Sequence, residues 1–323
     1  MLDPRAKILV DLPAGAPLTI HDVLVHQQAA LVALGVTVEA AQTYLAREHY
    51  FRTWERAQAC GASVVDRRFE AAADALVAGD LATLQRLLAE DPALARARSP
   101  YGHRQTLLQQ IAGSNGIEMA RQWQTPSNAV ELVQTLLAAG AEPDAGCDSY
   151  SPTDTAMTLL CSSCHPADAG LQDALVDALI AGGAHPDGPT HNSDPLWTAI
   201  TWGYQRAVEA LVRGGARVDN LVLAAAAGDL ERVRHFLAAP RTSVPMGALP
   251  HVLVAEHLVE YALIYAASLD RRDVVIELLG LSPNLRIIEP LFNATALGAA
   301  SYPHPSAGRP EGNPAIIALL SAH

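Results

Sequence analysis

From about residue 69 onward, apolar and polar positions recur in one order. A short segment with small residues on its packed side is followed by a glycine, a longer aliphatic segment of helical period, and a Gly-Ala stop. The cleanest copy is the stretch 194–219, DPLWTAITWGYQRAVEALVRGGARVD, which predicts a short helix, a turn at Gly203 and a second helix. Six further copies are predicted. The first is FEAAADALVAGDLATLQRLLAEDPALARAR, turning at Gly79-Asp80. The second opens at Thr106-Leu107-Leu108 and closes with NAVELVQTLLAAGAEPD, and the third runs from Thr155-Ala156-Met157 to LQDALVDALIAGGAHPD. The 194–219 copy is the fourth. DNLVLAAAAGDLERVRHFLAA follows it at once, then EYALIYAASLDRRDVVIELLGLSPN, and the last opens at Thr295-Ala296-Leu297 and ends in PAIIALLSAH.

The spacing, roughly 33 residues, is that of a stacked array in which each unit buries its face on the next. Ala199, Ala224, Ala225, Ala266 and Ala267 fall where the first helix of a unit approaches its neighbour closely. Gly140-Ala141, Gly183-Ala184 and Gly215-Ala216 end second helices, because glycine enters the left-handed region without a steric penalty. Three insertions, about 117–127, the run CSSCHPADAG and about 302–312, separate the two helices of their units, and a long connection spans 241–256. The first two are neighbours, so Trp123 and Cys164-His165 are expected to share a rim.

Ahead of the array, residues 1–18 hold Pro4, Pro13, Gly15 and Pro17 and read as an extended arm. Two helices are predicted next, one over about 20–34, capped by Thr19 and stopped by Gly35, the other over about 38–59, from Thr37 to Gly61. Residues 1–68 thus form an arm and helical cap, which covers the apolar side that a terminal unit leaves bare, and residues 69–323 form the array.

The skeleton of 194–219 resembles the ankyrin repeat, TPLHLAA..GH.EIV..LL..GA, with Asp194-Pro195-Leu196-Trp197 where T-P-L-H stands. The resemblance implies an all-α, ankyrin-type helical solenoid of about seven irregular repeats. It also implies a protein-binding scaffold without chemistry of its own, whose partners meet finger residues and the two residues before each turn glycine. Carried onto this sequence, those positions include His103 in repeat two, Asp154 in repeat three, and His191, Thr201 and Trp202 in repeat four, with Tyr204 beside them. Trp197 takes the motif histidine's place, where a structural role is expected, yet it is kept with Trp123 among the partner-binding candidates. The histidine is absent from each aligned motif; Gln109, Thr158, Trp197, Val222, Ile264 and Gly298 stand there, as in divergent bacterial arrays.

Composition narrows the partner. Half of the 323 residues are apolar, no run is long and uncharged enough to span a membrane, and the first residues lack a signal-like core, so a cytoplasmic protein is expected. Residues 1–68 carry seven acids and seven bases, so the net charge of −12 belongs to the array. Between Arg121 and Arg206 there is no Lys or Arg but ten acids, which disfavours nucleic acid and favours a protein partner with a basic surface. The opposing reading places these acids at helix starts and turn tips.

No cofactor is expected. Cys161-Ser162-Ser163-Cys164-His165 matches the haem-attachment pattern C-x-x-C-H without the export it requires, and Cys147 with that run lacks a second metal-ligand pair. His185 and His191 flank Asp187, an arrangement open to a divalent metal but expected to be solvent-exposed loop. Two other function classes stay open. An atypical enzyme or small-ligand binder would build a pocket from the insertions over the groove, using Asp154, His165, Glu260, Tyr261 and Tyr265 as acid-base candidates. Self-association would use the last repeat, which ends without a polar cap.

Overall fold

The computed structural model describes residues 17–113, 125–150 and 154–323. Most of the N-terminal arm, Trp123 and most of the first insertion therefore lie outside the described residues. The chain forms two compact units, residues 1–159 and 160–323. Among the described residues, no helix is long and apolar enough to cross a membrane.

In the first unit, β1 (Leu18–Thr19) pairs antiparallel with β2 (Val64–Val65) and closes off α1 (Ile20–Ala33), α2 (Val38–Glu48) and α3 (Trp54–Ala59). The Thr19 hydroxyl accepts from the Asp22 N–H at 3.3 Å while the Asp22 carboxylate accepts from the Thr19 N–H at 2.9 Å, a reciprocal cap. The helix predicted over 38–59 is not continuous. It stops at Glu48, Tyr50 takes a left-handed φ of 58°, and the Phe51 N–H returns to the Ala46 carbonyl at 2.8 Å, which turns Phe51 into the core of the cap. The partner of this break lies in the array: the Gly102 N–H donates to the His49 carbonyl at 3.0 Å, and Tyr101 stacks on His49 at 4.7 Å. A Cβ on Gly102 would collide with the Tyr50 carbonyl, so only glycine allows this approach.

The helix pairs of the array follow in order. In repeat one, α4 (Arg67–Ala78) and α5 (Leu81–Glu90) turn at Gly79, φ 71°. Repeat two has α6 (Leu107–Gly113) and α7 (Ala129–Ala138); repeat three has α8 (Ala156–Ser162), within which the two units divide, the short α9 (Cys164–Asp168) of its insertion, and α10 (Gln172–Ala181). Repeat four is α11 (Asp194–Thr201) and α12 (Gln205–Arg213), and repeat five is α13 (Leu221–Ala227) and α14 (Leu230–Ala238). After a hairpin of β3 (Val244–Pro245) and β4 (Val252–Leu253) come α15 (Leu258–Ser268) with α16 (Arg272–Leu279), then α17 (Ala296–Ser301) with α18 (Pro314–Ser321). Among the described residues the architecture is all-α and ankyrin-type, seven helix pairs in the array, apart from two short antiparallel strand pairs. Gly140, Gly183 and Gly215 each stop a second helix at φ 92°, 99° and 98°. In place of the motif histidine, Gln109 accepts from the Thr106 N–H at 2.8 Å and Thr158 from the Thr155 N–H at 2.8 Å, so a different side chain closes the same cap.

In the second unit α13 decides the geometry. Ala224, Ala225 and Ala226 are completely buried and carry little bulk, and only residues 214–220 separate α12 from α13. Repeats four and six therefore approach each other past repeat five, and the Trp197 ring of α11 meets Tyr265 of α15 edge-on at 6.4 Å. Arg271 ties the same three repeats together. Its Nε donates to the Ala226 carbonyl at 2.8 Å and its guanidinium pairs with Glu209 of α12 at 2.8 Å. Burial alone would raise the Glu209 pKa, but the bonds from Arg271 and Gln205 outweigh it and the carboxyl sits below its usual range.

Replacing Ala225 by Leu should wedge α13 away from its neighbours and cost about 1–3 kcal/mol as overpacking. Urea unfolding of wild type and Ala225→Leu measures this; an unchanged midpoint would show that the helix has room to spare.

Candidate functional site

In the second unit the turn of repeat four stands beside repeats six and seven, with a cleft of about 600 Å³ between them. One side is the end of α11 with Thr201, Trp202, Gly203 and Tyr204. The other is Ile264, Tyr265 and Ser268 of α15, the loop carrying Glu289 and Phe292, and the start of the last insertion at Tyr302–Ser306. Aromatic rings crowd the mouth. Trp202 is 49% exposed and meets Phe292 edge-on at 5.7 Å, while Phe292 and Tyr302 are 53% and 68% exposed. Large exposed apolar side chains gathered in one place mark interaction surfaces.

The insertion of repeat seven is bonded to the turn of repeat four. His304 Nδ1 accepts from the Ala307 N–H at 3.1 Å, so Nε2 carries the proton and donates to the Trp202 carbonyl at 2.7 Å. Arg309 donates to the Gly203 carbonyl at 2.6 Å, and the Tyr204 ring meets His304 edge-on at 5.0 Å. Burial, aided by Arg309, holds the His304 imidazole below its ordinary pKa of 6.5 against the Trp202 carbonyl, which works the other way. Gly203 is required twice over: its φ is 73°, and a Cβ there would stand 3.1 Å from the Arg309 guanidinium and 3.3 Å from the His304 ring. At its far end, the Asn313 side chain donates to the Ala267 carbonyl at 2.7 Å.

Glu289, which sequence reasoning missed, is the charged side chain of the cleft. It is buried, and its carboxylate accepts from the Leu291 and Phe292 N–H groups at 2.7 Å each and from the Ala294 N–H at 3.2 Å. Tyr265 donates its hydroxyl toward the same carboxylate at 3.5 Å, and burial, then Glu289, keeps that phenol protonated. This net of donors shapes the loop that presents Phe292. A glutamate followed by a turn is a weak sequence signal, and nothing in the repeat pattern points to it. Thr201 differs: the residue lines the cleft, but its hydroxyl is buried away from it and has no hydrogen-bond partner.

Of the sequence candidates, Thr201, Trp202, Tyr204 and Tyr265 come together here. Others do not. Trp197 is buried at 2% exposure and presents no surface, because Tyr265 of α15 meets it edge-on and the β3–β4 hairpin at Gly247 lies against it. His103 is fully buried, its ring edge-on to Tyr50 at 5.5 Å and its Nδ1 accepting from the Gln105 N–H, since the loop after repeat one docks on the cap. Asp154 belongs to the first unit, where its carboxylate accepts from the Tyr150 N–H at 2.7 Å. Glu260 accepts from the Asn284 N–H at 3.1 Å, Tyr261 is buried edge-on to His257, and His165 lies on α9; none lines the cleft. His191 is exposed and stands edge-on to His185 at 4.1 Å. Asp187 is not an open ligand between them: it is buried and takes the Arg217 side chain and N–H at 2.8 Å each. Asp177 likewise pairs with Arg213 at 2.7 Å, so part of the base-free acidic run is neutralised by arginines beyond it. The four cysteines are free thiols, and burial pushes Cys161 far up and Cys147 to about 11.

No family model and no curated protein matches the chain by sequence. Among solved structures it is similar to the human ASB11 ankyrin repeat domain, with 19% identity over 78% of this chain and 97% of that one, TM-score 0.41. It is also similar to the ankyrin repeat domain of Bcl-3, described as a unique member of the IkappaB protein family, with 21% identity over the same shares and TM-score 0.38. The repeat assignment rests on the helix pairs themselves.

Two outcomes follow for the insertion. Arg309→Ala should lower stability by about 1–3 kcal/mol, as expected for a partly buried charged hydrogen bond, in urea unfolding. Because His304 is held below 6.5, the unfolded chain protonates first as pH falls. Its contribution is complete above that value and shrinks below it until the folded imidazole also protonates. The urea midpoint of wild type should fall further between about pH 7.5 and pH 5 than that of His304→Gln; parallel profiles would remove this role.

Proposed function

We propose that this chain is a protein-binding module without chemistry of its own, and that it meets a basic segment of its partner at the Trp202 cleft. The observation that carries the reading is the half-exposed Trp202, set beside exposed Phe292 and Tyr302 at the mouth of a concave surface. Tryptophan and tyrosine dominate binding energy where a pocket excludes water around them. A net charge of −12 supports a basic partner through long-range attraction, even though Asp177 and Asp187 are paired internally. The acid-base candidates support binding over catalysis: Tyr265 reaches Glu289, whose oxygens already serve the loop backbone, and the other candidates stand elsewhere. A second reading, a small-ligand binder, has one observation in its favour, an insertion-walled cleft of a volume typical of small-molecule sites.

Selection of random peptides on the immobilised chain tests the proposal. Enriched peptides should be rich in Arg or Lys, and Trp202→Ala should weaken their binding at least about thirtyfold, the loss expected for a hot-spot aromatic, with helical content unchanged. Equal binding by the variant would remove the cleft from the interface.

A further inference from the structure

We infer that His304 is a pH-operated latch: protonation of its imidazole releases Tyr302–Ser306, one wall of the cleft, from the turn of repeat four. The consequence for a partner rests on the binding reading above. In its neutral form the ring uses both nitrogens. Nδ1 accepts from the Ala307 N–H at 3.1 Å, and the Nε2 proton goes to the Trp202 carbonyl at 2.7 Å. An imidazolium carries a proton on each nitrogen, so its Nδ1–H would face the Ala307 N–H, donor against donor. The Ala307 N–H also reaches the His304 carbonyl at 3.1 Å, so the turn at Pro305–Ala307 keeps a bond of its own and the ring is the part that leaves. Turning away from Ala307 carries Nε2 off the Trp202 carbonyl.

The surroundings decide how readily the ring charges. Arg309, on the same loop, opposes a second cation; Asp270 beside it offsets part of its charge and Arg271 adds to it. Asp168 of α9, which packs against 305–307, favours protonation, as does the Trp202 carbonyl. Tyr204, edge-on to the ring, and Cys164 stay uncharged, because burial raises both. Burial of the ring, with Arg309, outweighs the favourable groups, so the folded imidazole charges below 6.5. Among the described residues, two side-chain hydrogen bonds tie this insertion to the repeat-four turn, from His304 and from Arg309. Protonation removes the first and sets a cation beside the second. Tyr302, Pro303, Pro305 and Ser306 line the cleft, so the latched wall belongs to neutral pH and is given up on acidification.

The test is nuclear magnetic resonance on the full chain between about pH 7.5 and pH 4.5, the range that brackets a lowered imidazole. The ring C–H resonances of His304 are assigned by their loss in His304→Gln, which keeps a donor and cannot titrate. They should titrate below 6.5, and the Overhauser contact between the His304 and Tyr204 rings, 5.0 Å apart, should vanish with the same midpoint while helical content stays constant. Peptides selected at neutral pH should lose up to about tenfold in affinity per pH unit below that midpoint, relative to His304→Gln. A ring still neutral at the acid end, a charged ring that keeps its contact with Tyr204, or helical content lost at the same midpoint would overturn the latch. If the contact vanishes but peptide affinity follows that of His304→Gln, the latch stands and the binding reading falls. If peptides depend on Trp202 while the contact survives acid, the binding reading stands and the latch falls.

Discussion

Close approach past a helix of alanines governs the second unit. Ala224, Ala225 and Ala226 are fully buried, so the second half of α13 puts little side-chain volume between its neighbours. The edge-on meeting of Trp197 and Tyr265, and the three-way tie through Arg271, are consequences of that missing volume. The walls of the cleft come from repeats four, six and seven.

Once the walls are close, the last insertion has something to rest on. Its histidine and arginine reach backbone carbonyls of the repeat-four turn, and a glycine at that turn leaves room for both. Glu289 plays the matching part on the opposite wall by gathering three N–H groups into a loop that offers Phe292. The polar groups of the site thus mostly position aromatic rings. The exception is the Thr201 hydroxyl, left without an internal partner.

Much of the fold was legible in the sequence, because helix pairs announce themselves through local chemistry. Thr19 and Thr37 cap the helices they were expected to cap, and Gly140, Gly183 and Gly215 take the left-handed conformation that ends one. Trp202 could be singled out because it precedes a turn glycine, a local position. What joins it in the cleft was not legible, since curvature is a sum of side-chain volumes over several repeats. No pattern within repeat seven tells His304 that its neighbour will be a carbonyl 102 residues away. The broken cap helix failed for a similar reason. Its apolar spacing runs through Tyr50 without a glycine or proline, and the cause of the break, Gly102, lies far along the chain. Part of the acidic run is answered from beyond it in the same way, because Asp177 and Asp187 pair with Arg213 and Arg217.

Repeat arrays are ordinarily one-dimensional in energy: each unit leans on the next, and the ends fray at little cost. The bonds from His304 and Arg309 to the turn of repeat four span 102 and 106 residues and change that arithmetic. The end of the chain is held by the middle of the unit as well as by its neighbour, so the last repeat does not peel away by itself. The same contacts raise the mean sequence separation of the native interactions, and topology of that kind slows folding because a long loop must close before the contact rewards it. The second unit exchanges the fast, stepwise assembly of an open array for cooperativity from end to end.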